Sequence, residues 1–363
     1  MSRLRIGIVG CGGVTQIVHL PTLYQLSDLF EVAAICDVSR NVLAGVGEAW
    51  NIATRVTSYQ ELLSLDSIDA VLIANPSPYH AEISIAAMAA GKHVLVEKPM
   101  CMNLAENDAI IAEQNRTGKI VQVGTMRRYA PAFIEACRIV KDMGVIRLAQ
   151  VHDIIGRNSL VIEPTSRVVK ADDIPESITE SMRQLQDRQI REAIGDAPDA
   201  LKTAYGMVLG LSTHDISAMR EMLGMPKRVL HATQRQGGRV LTAAFDYGDY
   251  VCLFTTGSDS IPRYDTYVQV FGDDKVLRVD YDTPFVRNLP ITLTVTESAD
   301  GLNNTQTVTH PGWGDAFTEE WRAFHDSVIN GEPVKACPQD FRQDMLLFRE
   351  MIRHMAQAAS EPA

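Results

Sequence analysis

Short apolar runs of strand length alternate with helical patterns over the first 125 residues. Continuous apolar runs are typical of strands buried on both faces, and segment 81–90 has the small-residue content of a helix packed on a sheet. The pattern therefore predicts a doubly wound parallel sheet. Its strands are expected at 5–9, 31–36, 70–74, 94–96 and 120–123.

The sequence pattern changes near residue 145. From there, valine- and threonine-rich runs are joined by hairpin-sized connections at 236–238, 246–249 and 272–274. Such spacing favours an open, mostly antiparallel sheet. Helices are expected at 315–328 and 338–359. The strands are expected at 145–155, 228–233, 240–245, 251–256, 264–271, 276–279 and 291–295.

The chain length of 363 residues suits two domains, because single cores stop growing near about 250 to 300 residues. We predict an N-terminal α/β domain over 1–125 and a C-terminal α/β domain over 126–363. Segment 156–204, which follows the first strand pattern of the second domain, is long and charged, with a helix expected at about 175–194. It is interpreted as a lid or an oligomer contact, with a solvated surface insertion as the alternative.

Composition narrows the classes of partner. A net charge of −11 repels nucleic acid and anionic lipid, although a local basic pocket for one anionic small molecule stays compatible with it. The amino terminus enters a strand pattern without a signal-peptide pattern, which predicts a cytoplasmic protein. The six cysteines form no C-x-x-C pair, so we expect reduced thiols and no metal site.

The first apolar run leads into a glycine-rich segment that matches G-x-G-x-x-G at two of three glycines, with Thr15 in the third place. The first glycine allows a tight turn, and the second lets the backbone approach a pyrophosphate at the start of the following helix. The residues predicted to hold a dinucleotide here are Gly10, Gly12, Gly13 and Val14.

Asp37 ends the next strand pattern, at the place of a ribose-binding acid. A carboxylate there accepts hydrogen bonds from the adenosine ribose and repels a 2′-phosphate, which favours NAD over NADP. Arg40 weakens this preference, because a nearby arginine can accommodate that phosphate.

Residues 93–99 form an apolar strand that ends in Glu97, Lys98 and Pro99. Proline stops the strand, so Lys98 lies on a turn at a strand's carboxyl end, where ligands gather in open α/β sheets. The alternative is an ordinary solvated lysine. Glu97 is expected to hold Lys98 by an ion pair.

These residues, together with later ones, resemble the glucose-fructose oxidoreductase, inositol dehydrogenase and rhizopine catabolism family (Gfo/Idh/MocA). The resemblance covers nearly the whole chain. The further matching positions are Asn75-Pro76 with His80, segment 90–99, Arg127-Arg128-Tyr129 with Pro131, His214-Asp215-Ile216, and Phe317, Glu320 and Phe324.

The resemblance implies a Rossmann domain, a nicotinamide cofactor, a sugar or cyclitol substrate, and a homodimer or homotetramer. Lys98 corresponds to the family's active-site lysine and His214 to its acid/base histidine. Expected cofactor contacts also include Asn75, Pro76, His80, Glu97, Lys98 and Arg128. Expected substrate contacts are Lys98, Tyr129, Arg157, Asp215 and His214.

One departure concerns Gly210, which stands where the family often has an aspartate four residues before the histidine. Either Asp215 or another side chain orients His214, or the site works without that carboxylate. The leading interpretation is an NAD-dependent oxidoreductase acting on a sugar, glycoside or cyclitol hydroxyl. The alternatives are an NAD-dependent glycoside hydrolase that oxidises C3 transiently, and a non-catalytic NAD-binding regulator.

Overall fold

The first apolar runs form a parallel six-stranded sheet in the computed structural model, which describes residues 3–298, 300–312 and 314–360. The strand order is β3-β2-β1-β4-β5-β6, the doubly wound arrangement predicted above. The short edge strand β3 was not predicted, because three residues give no readable pattern. The strands are β1 (Leu4–Val9), β2 (Phe30–Cys36), β3 (Thr54–Val56), β4 (Ala70–Ile73), β5 (His93–Glu97) and β6 (Val121–Gly124).

Within the described residues, five helices alternate with these strands along the chain. Ser39 caps the second by accepting a hydrogen bond from the Val42 N–H, and Gly118 ends the fifth in the left-handed conformation, with φ of 66°. The helices are α1 (Leu20–Gln25), α2 (Arg40–Ala49), α3 (Tyr59–Leu63), α4 (His80–Ala89) and α5 (Leu104–Thr117).

The second sheet has eight strands in the order β14-β13-β12-β11-β7-β10-β9-β8, and its neighbours are antiparallel except for β7 with β10. The predicted fold class is confirmed. Strand β14 was not predicted, because its five residues are all exposed and show no apolar alternation. The strands are β7 (Ile146–Ile155), β8 (Arg228–Arg235), β9 (Val240–Asp246), β10 (Val251–Ser258), β11 (Tyr264–Gly272), β12 (Lys275–Tyr281), β13 (Thr292–Glu297) and β14 (Thr305–Thr309).

The remaining helices include the one expected at about 175–194. Two π-helical turns, Thr15–His19 and Val208–Ser212, directly precede helices. Within the described residues, no helix combines the length and apolar character needed to cross a membrane. The helices are α6 (Pro131–Lys141), α7 (Ser159–Thr165), α8 (Glu176–Ile194), α9 (Asp199–Met207), α10 (Thr213–Leu223), α11 (Ala316–Asn330) and α12 (Pro338–Ser360).

The chain folds into two compact units. The first contains the chain up to Thr125, Ser166–Gly195 and Glu320–Met345, and the second contains Met126–Thr165, Asp196–Glu319 and the chain from Leu346 onward. The first break coincides with the predicted boundary after residue 125. The predicted division kept all later residues in one domain, whereas two later segments pack within the first unit.

Specific contacts hold the later segments in the first unit. The Gln189 side chain donates to the Pro78 carbonyl at 2.8 Å, and Gln16 pairs with the backbone of Val169. Trp321 and Phe324 belong to the hydrophobic core beneath the parallel sheet. These contacts join residues distant in sequence, so the local pattern of charge and hydropathy does not reveal them.

Candidate functional site

A cavity of about 890 Å³ lies at the carboxyl ends of β1, β2 and β4, within the first unit. Its lining includes Gly10, Gly12, Gly13 and Asp37 from the predicted dinucleotide segment. Its volume falls in the range of about 300 to 1,000 Å³ that is usual for small-molecule sites. The structure thus brings these predicted residues together around one pocket.

The glycines have two different roles in the cavity wall. Gly10 has φ of +92°, and a Cβ there would lie 2.4 Å from the backbone nitrogen of Asn75, so only glycine fits. A Cβ at Gly12 or Gly13 would meet nothing within 4 Å. The backbone is therefore open in front of these two residues, as close approach of a pyrophosphate requires.

Asp37 is held in place by the backbone on either side. Its carboxylate accepts hydrogen bonds from the N–H groups of Cys11 at 2.8 Å and Ser39 at 2.9 Å. Each carboxylate oxygen has further acceptor capacity, so both remain suited to ribose hydroxyls. Thr15 donates from its hydroxyl to the Gly10 carbonyl at 2.6 Å, a use of the third motif position that glycine could not provide.

The second wall of the cavity comes from residues 166–182, which we call the strap. Val168, Lys170 and Ile174 are among its lining residues. Gln16 holds the strap through two hydrogen bonds with Val169, accepting from its N–H at 2.8 Å and donating to its carbonyl at 3.0 Å. Sequence reasoning missed Gln16 and the strap, since no local signal links residues 153 positions apart.

Asn75 and Pro76, also predicted as cofactor contacts, line the cavity after β4. His80 lies buried beside them, and its Nε2 and Nδ1 face the carbonyl oxygens of Asn75 at 2.7 Å and Pro99 at 2.8 Å. Burial lowers the pKa of His80. A neutral ring carries one N–H, so His80 donates to one of these two turns at a time.

Lys98 is half-buried on the turn that follows β5, and its peptide bond to Pro99 is cis. Its backbone N–H donates to the Glu97 carboxylate at 3.2 Å. Lys98 thus lies at the carboxyl end of a strand next to β4, as predicted. The adjacent strand ends place its turn and the cavity on the same edge of the sheet.

Sequence reasoning also missed His19, which supports this turn. Its Nε2 lies 2.9 Å from the Glu97 carboxylate, and the Trp321 indole N–H donates to its Nδ1 at 3.1 Å. Because indole only donates, Nδ1 is the acceptor, and Nε2 carries the proton that is donated to Glu97. Burial would raise the pKa of Glu97, but the hydrogen bond from His19 and the nearby Lys98 lower it below its usual range.

In the second unit, His214 lies in the first turn of α10, directly after the π-helical turn Val208–Ser212. The imidazole is mostly buried, with 7% of the residue exposed. Gly210 lies within the π-helical turn, and a Cβ there would meet nothing within 4 Å. Packing therefore does not require glycine at the position where the family often has aspartate.

Asp215, a predicted substrate contact and candidate partner of His214, has its carboxylate engaged by Arg127. Arg127 also donates to Asp153 at 3.2 Å, and the Thr266 hydroxyl donates to Asp153 at 2.8 Å. Burial raises the pKa of Asp215 and the Arg127 cation opposes this rise. Burial would lower the pKa of Arg127, but the two carboxylates raise it above its usual value.

The other predicted contacts lie at separate places in the second unit. Arg128 is buried and paired with Glu221, and Tyr129 is buried beside it in the same short turn. Arg157 is exposed after β7. In the first unit, Val14 is half-buried and immediately precedes the π-helical turn Thr15–His19.

Residues 4–125 match the family model described as oxidoreductase family, NAD-binding Rossmann fold, of the Gfo/Idh/MocA group. These residues belong to the Gfo/Idh/MocA oxidoreductase family. The family predicted from the sequence is confirmed for this segment, which has the NAD-binding Rossmann fold of that family.

Two curated relatives match this chain, one over nearly its whole length and one over about half of it. A myo-inositol 2-dehydrogenase of Thermotoga maritima is 25% identical over 359 residues, which is 95% of this chain and 94% of the relative. Inositol 2-dehydrogenase 3 of Saccharopolyspora erythraea is 31% identical over 195 residues, which is 52% of this chain and 56% of the relative.

A solved structure shares the fold of both units. It is a 3-ketoreductase from Actinomadura kijaniata in complex with TDP-benzene and NADP, in an open conformation. Its TM-score is 0.73 at 19% identity, and the match covers 98% of each chain. At this identity the likeness supports the fold alone.

The two glycine roles give a matched pair of variants. Gly12→Ala is expected to leave the melting temperature unchanged and to weaken dinucleotide binding about tenfold, because its methyl group lies where the pyrophosphate approaches. Gly10→Ala is expected to cost about 1–3 kcal/mol of stability, because of its positive φ and the clash with Asn75. Thermal unfolding and fluorescence titration with NADH measure both effects. Equal melting temperatures for the two variants would contradict this assignment.

Proposed function

We propose that the protein is an NAD-dependent dehydrogenase that transfers a hydride between a secondary hydroxyl of a sugar or cyclitol and nicotinamide. The observation that carries this proposal is the shared sheet edge, where the glycine-lined cavity, Asp37 and the Lys98 turn lie together. The relatives named as inositol 2-dehydrogenases support a polyhydroxylated ring as the substrate class.

The residues of the cavity fit a nicotinamide dinucleotide. The open backbone at Gly12 and Gly13 would receive the pyrophosphate, and the oriented carboxylate of Asp37 would receive the adenosine ribose. Asn75 and Pro76 would border the dinucleotide where the cavity passes the end of β4. When bound, the dinucleotide supplies the hydride acceptor.

The protein side of the reaction is charge placement and proton transfer. In this proposal the Lys98 ammonium donates a hydrogen bond to the substrate hydroxyl and stabilises the alkoxide that develops as the hydride leaves. His19 and Glu97 fix the turn that carries it. The acid/base role is assigned to His214, since an unperturbed imidazole exchanges protons near neutral pH.

The functional test is a substrate panel with two simultaneous readouts. Purified protein and NAD⁺ are incubated with cyclitols, sugars and aryl glycosides, while NADH absorbance and aglycone release are followed together. We expect NADH equal to the substrate oxidised, with no aglycone released.

Aglycone release without net NADH would reject the dehydrogenase and favour the hydrolase alternative, which the relatives named above do not support. Tight NAD⁺ binding without turnover of any panel member would favour the regulator. A reaction without added NAD⁺ serves as the control for cofactor carried through purification.

A further inference from the structure

Asp173, a residue of the strap, places its carboxylate at the first residues of α2. Asp173 accepts hydrogen bonds from the Ser39 hydroxyl, from the Arg40 N–H at 2.9 Å and from the Asn41 N–H at 3.2 Å. The hydrogen bond from Ser39 and the backbone N–H groups lower the pKa of Asp173, so it is ionised at neutral pH. A negative charge from a distant part of the chain therefore lies at the amino end of this ten-residue helix.

The three residues that donate to Asp173 are two to four positions after Asp37, the ribose-binding acid of the proposed site. In this fold the residues just after the second strand surround the 2′ position of the adenosine ribose. NADP differs from NAD by a phosphate at this position. The Ser39 hydroxyl and two N–H groups at a helix start are the donors that a phosphate would use.

Two sets of hydrogen bonds other than those of Asp173 hold segment 166–195 in place, so anchoring does not depend on Asp173 alone. The strap is already held by the paired hydrogen bonds between Gln16 and Val169. The following helix α8 is held by Gln189, which donates to Pro78 at 2.8 Å and to Glu106 at 2.7 Å. Loss of the Asp173 charge therefore leaves the other attachments of segment 166–195 in place.

We propose that Asp173 determines cofactor specificity: its carboxylate occupies the position of the 2′-phosphate, takes up the donors there and excludes NADP. This inference rests on the proposed function and adds a second residue to the selectivity expected from Asp37. It would account for a preference for NAD in a chain that has Ser39 and Arg40 two and three residues after Asp37. The strap thus acts on the choice of cofactor.

The test compares the affinities of the intact protein for NAD⁺ and NADP⁺ by calorimetric titration. Asp173→Asn removes the charge and nearly preserves the shape of the side chain. We expect it to lower the ratio of the NADP⁺ to the NAD⁺ dissociation constant about tenfold or more, since one like-charge contact near a protein surface is worth a tenfold change or more. Asp187→Asn is the matched control, because it removes the same charge from an exposed position on α8.

Each other outcome overturns the inference. If Asp173→Asn weakens both dinucleotides equally, Asp173 only anchors the strap. If Asp187→Asn changes the ratio as much, the effect is one of general charge. A wild-type protein that binds NADP⁺ as tightly as NAD⁺ rejects the inference alone, whereas a wild-type protein that binds neither rejects the proposed function with it.

Discussion

Replacing Lys98 with methionine is expected to lower kcat about 10³-fold, the usual effect of removing one donor that stabilises a developing oxyanion. Methionine keeps most of the side-chain volume but has neither charge nor proton. Dinucleotide affinity is expected to stay within about twofold, an energy change below 1 kcal/mol, because the cavity lining is unchanged. Steady-state rates with a substrate found in the panel, together with NADH titration, measure the two effects separately.

A second lysine near the same strand provides the control. Lys92 lies before the amino end of β5, and its ammonium donates to the carbonyls of Leu65 at 2.9 Å and Ile68 at 2.8 Å. Lys92→Met is expected to leave kcat nearly unchanged. A Lys98→Met protein that folds, binds NADH and keeps kcat within about tenfold, or 1.4 kcal/mol of the barrier, would exclude Lys98 as a catalytic residue.

Replacing Arg127 with methionine is expected to destabilise the second unit by about 3–5 kcal/mol, because it leaves the buried carboxyl groups of Asp153 and Asp215 without their cation. These residues are 0% and 1% exposed, so water does not replace the guanidinium. Unfolding in urea, followed by circular dichroism, measures the loss.

The destabilisation should depend on pH with a definite sign. Burial already raises the pKa of Asp215 while Arg127 is present, and removing that cation raises it further. In the variant the folded state then binds more protons than the unfolded state, so its stability falls as pH rises through the range between the two pKa values. We therefore expect Arg127→Met to be less stable at neutral pH than in mild acid.

The neighbouring arginine is the natural comparison. Arg128 pairs with Glu221, whose side chain is 24% exposed, so water partly solvates the carboxylate left behind. Arg128→Met is consequently expected to cost less than Arg127→Met. Equal costs for the two variants would show that the cluster of Arg127, Asp153 and Asp215 does not have the structural importance assigned to it.

The parts of the fold predicted from sequence are those with local causes. Buried parallel strands give continuous apolar runs, and glycine-containing turns between short strands indicate hairpins. The positions of Gly10, Asp37 and Lys98 follow from the same reasoning, because each lies at the end of a readable strand. Their placement at one edge needs only the rule that ligands bind at the carboxyl ends of parallel strands.

The parts not predicted depend on contacts between distant residues. The pair of His19 and Glu97 is separated by 78 positions, and Asp173 lies 133 positions from Arg40. The sequence shows each of these residues as a single polar side chain and does not indicate which distant residue is its hydrogen-bond partner. The cavity's glycine wall was therefore predicted, whereas the strap, and with it the proposed choice between NAD and NADP, required the structure.

The discontinuous first unit has a consequence for the order in which the chain matures during synthesis. All six strands of the parallel sheet have been made by Gly124, but the strap and the core residues Trp321 and Phe324 come much later. Part of the core of the first unit therefore stays exposed to solvent until the second sheet and the residues after it have been translated. The glycine wall of the pocket thus meets its opposite wall when the strap joins the first unit, and Trp321 and Phe324 complete the core beneath the sheet later.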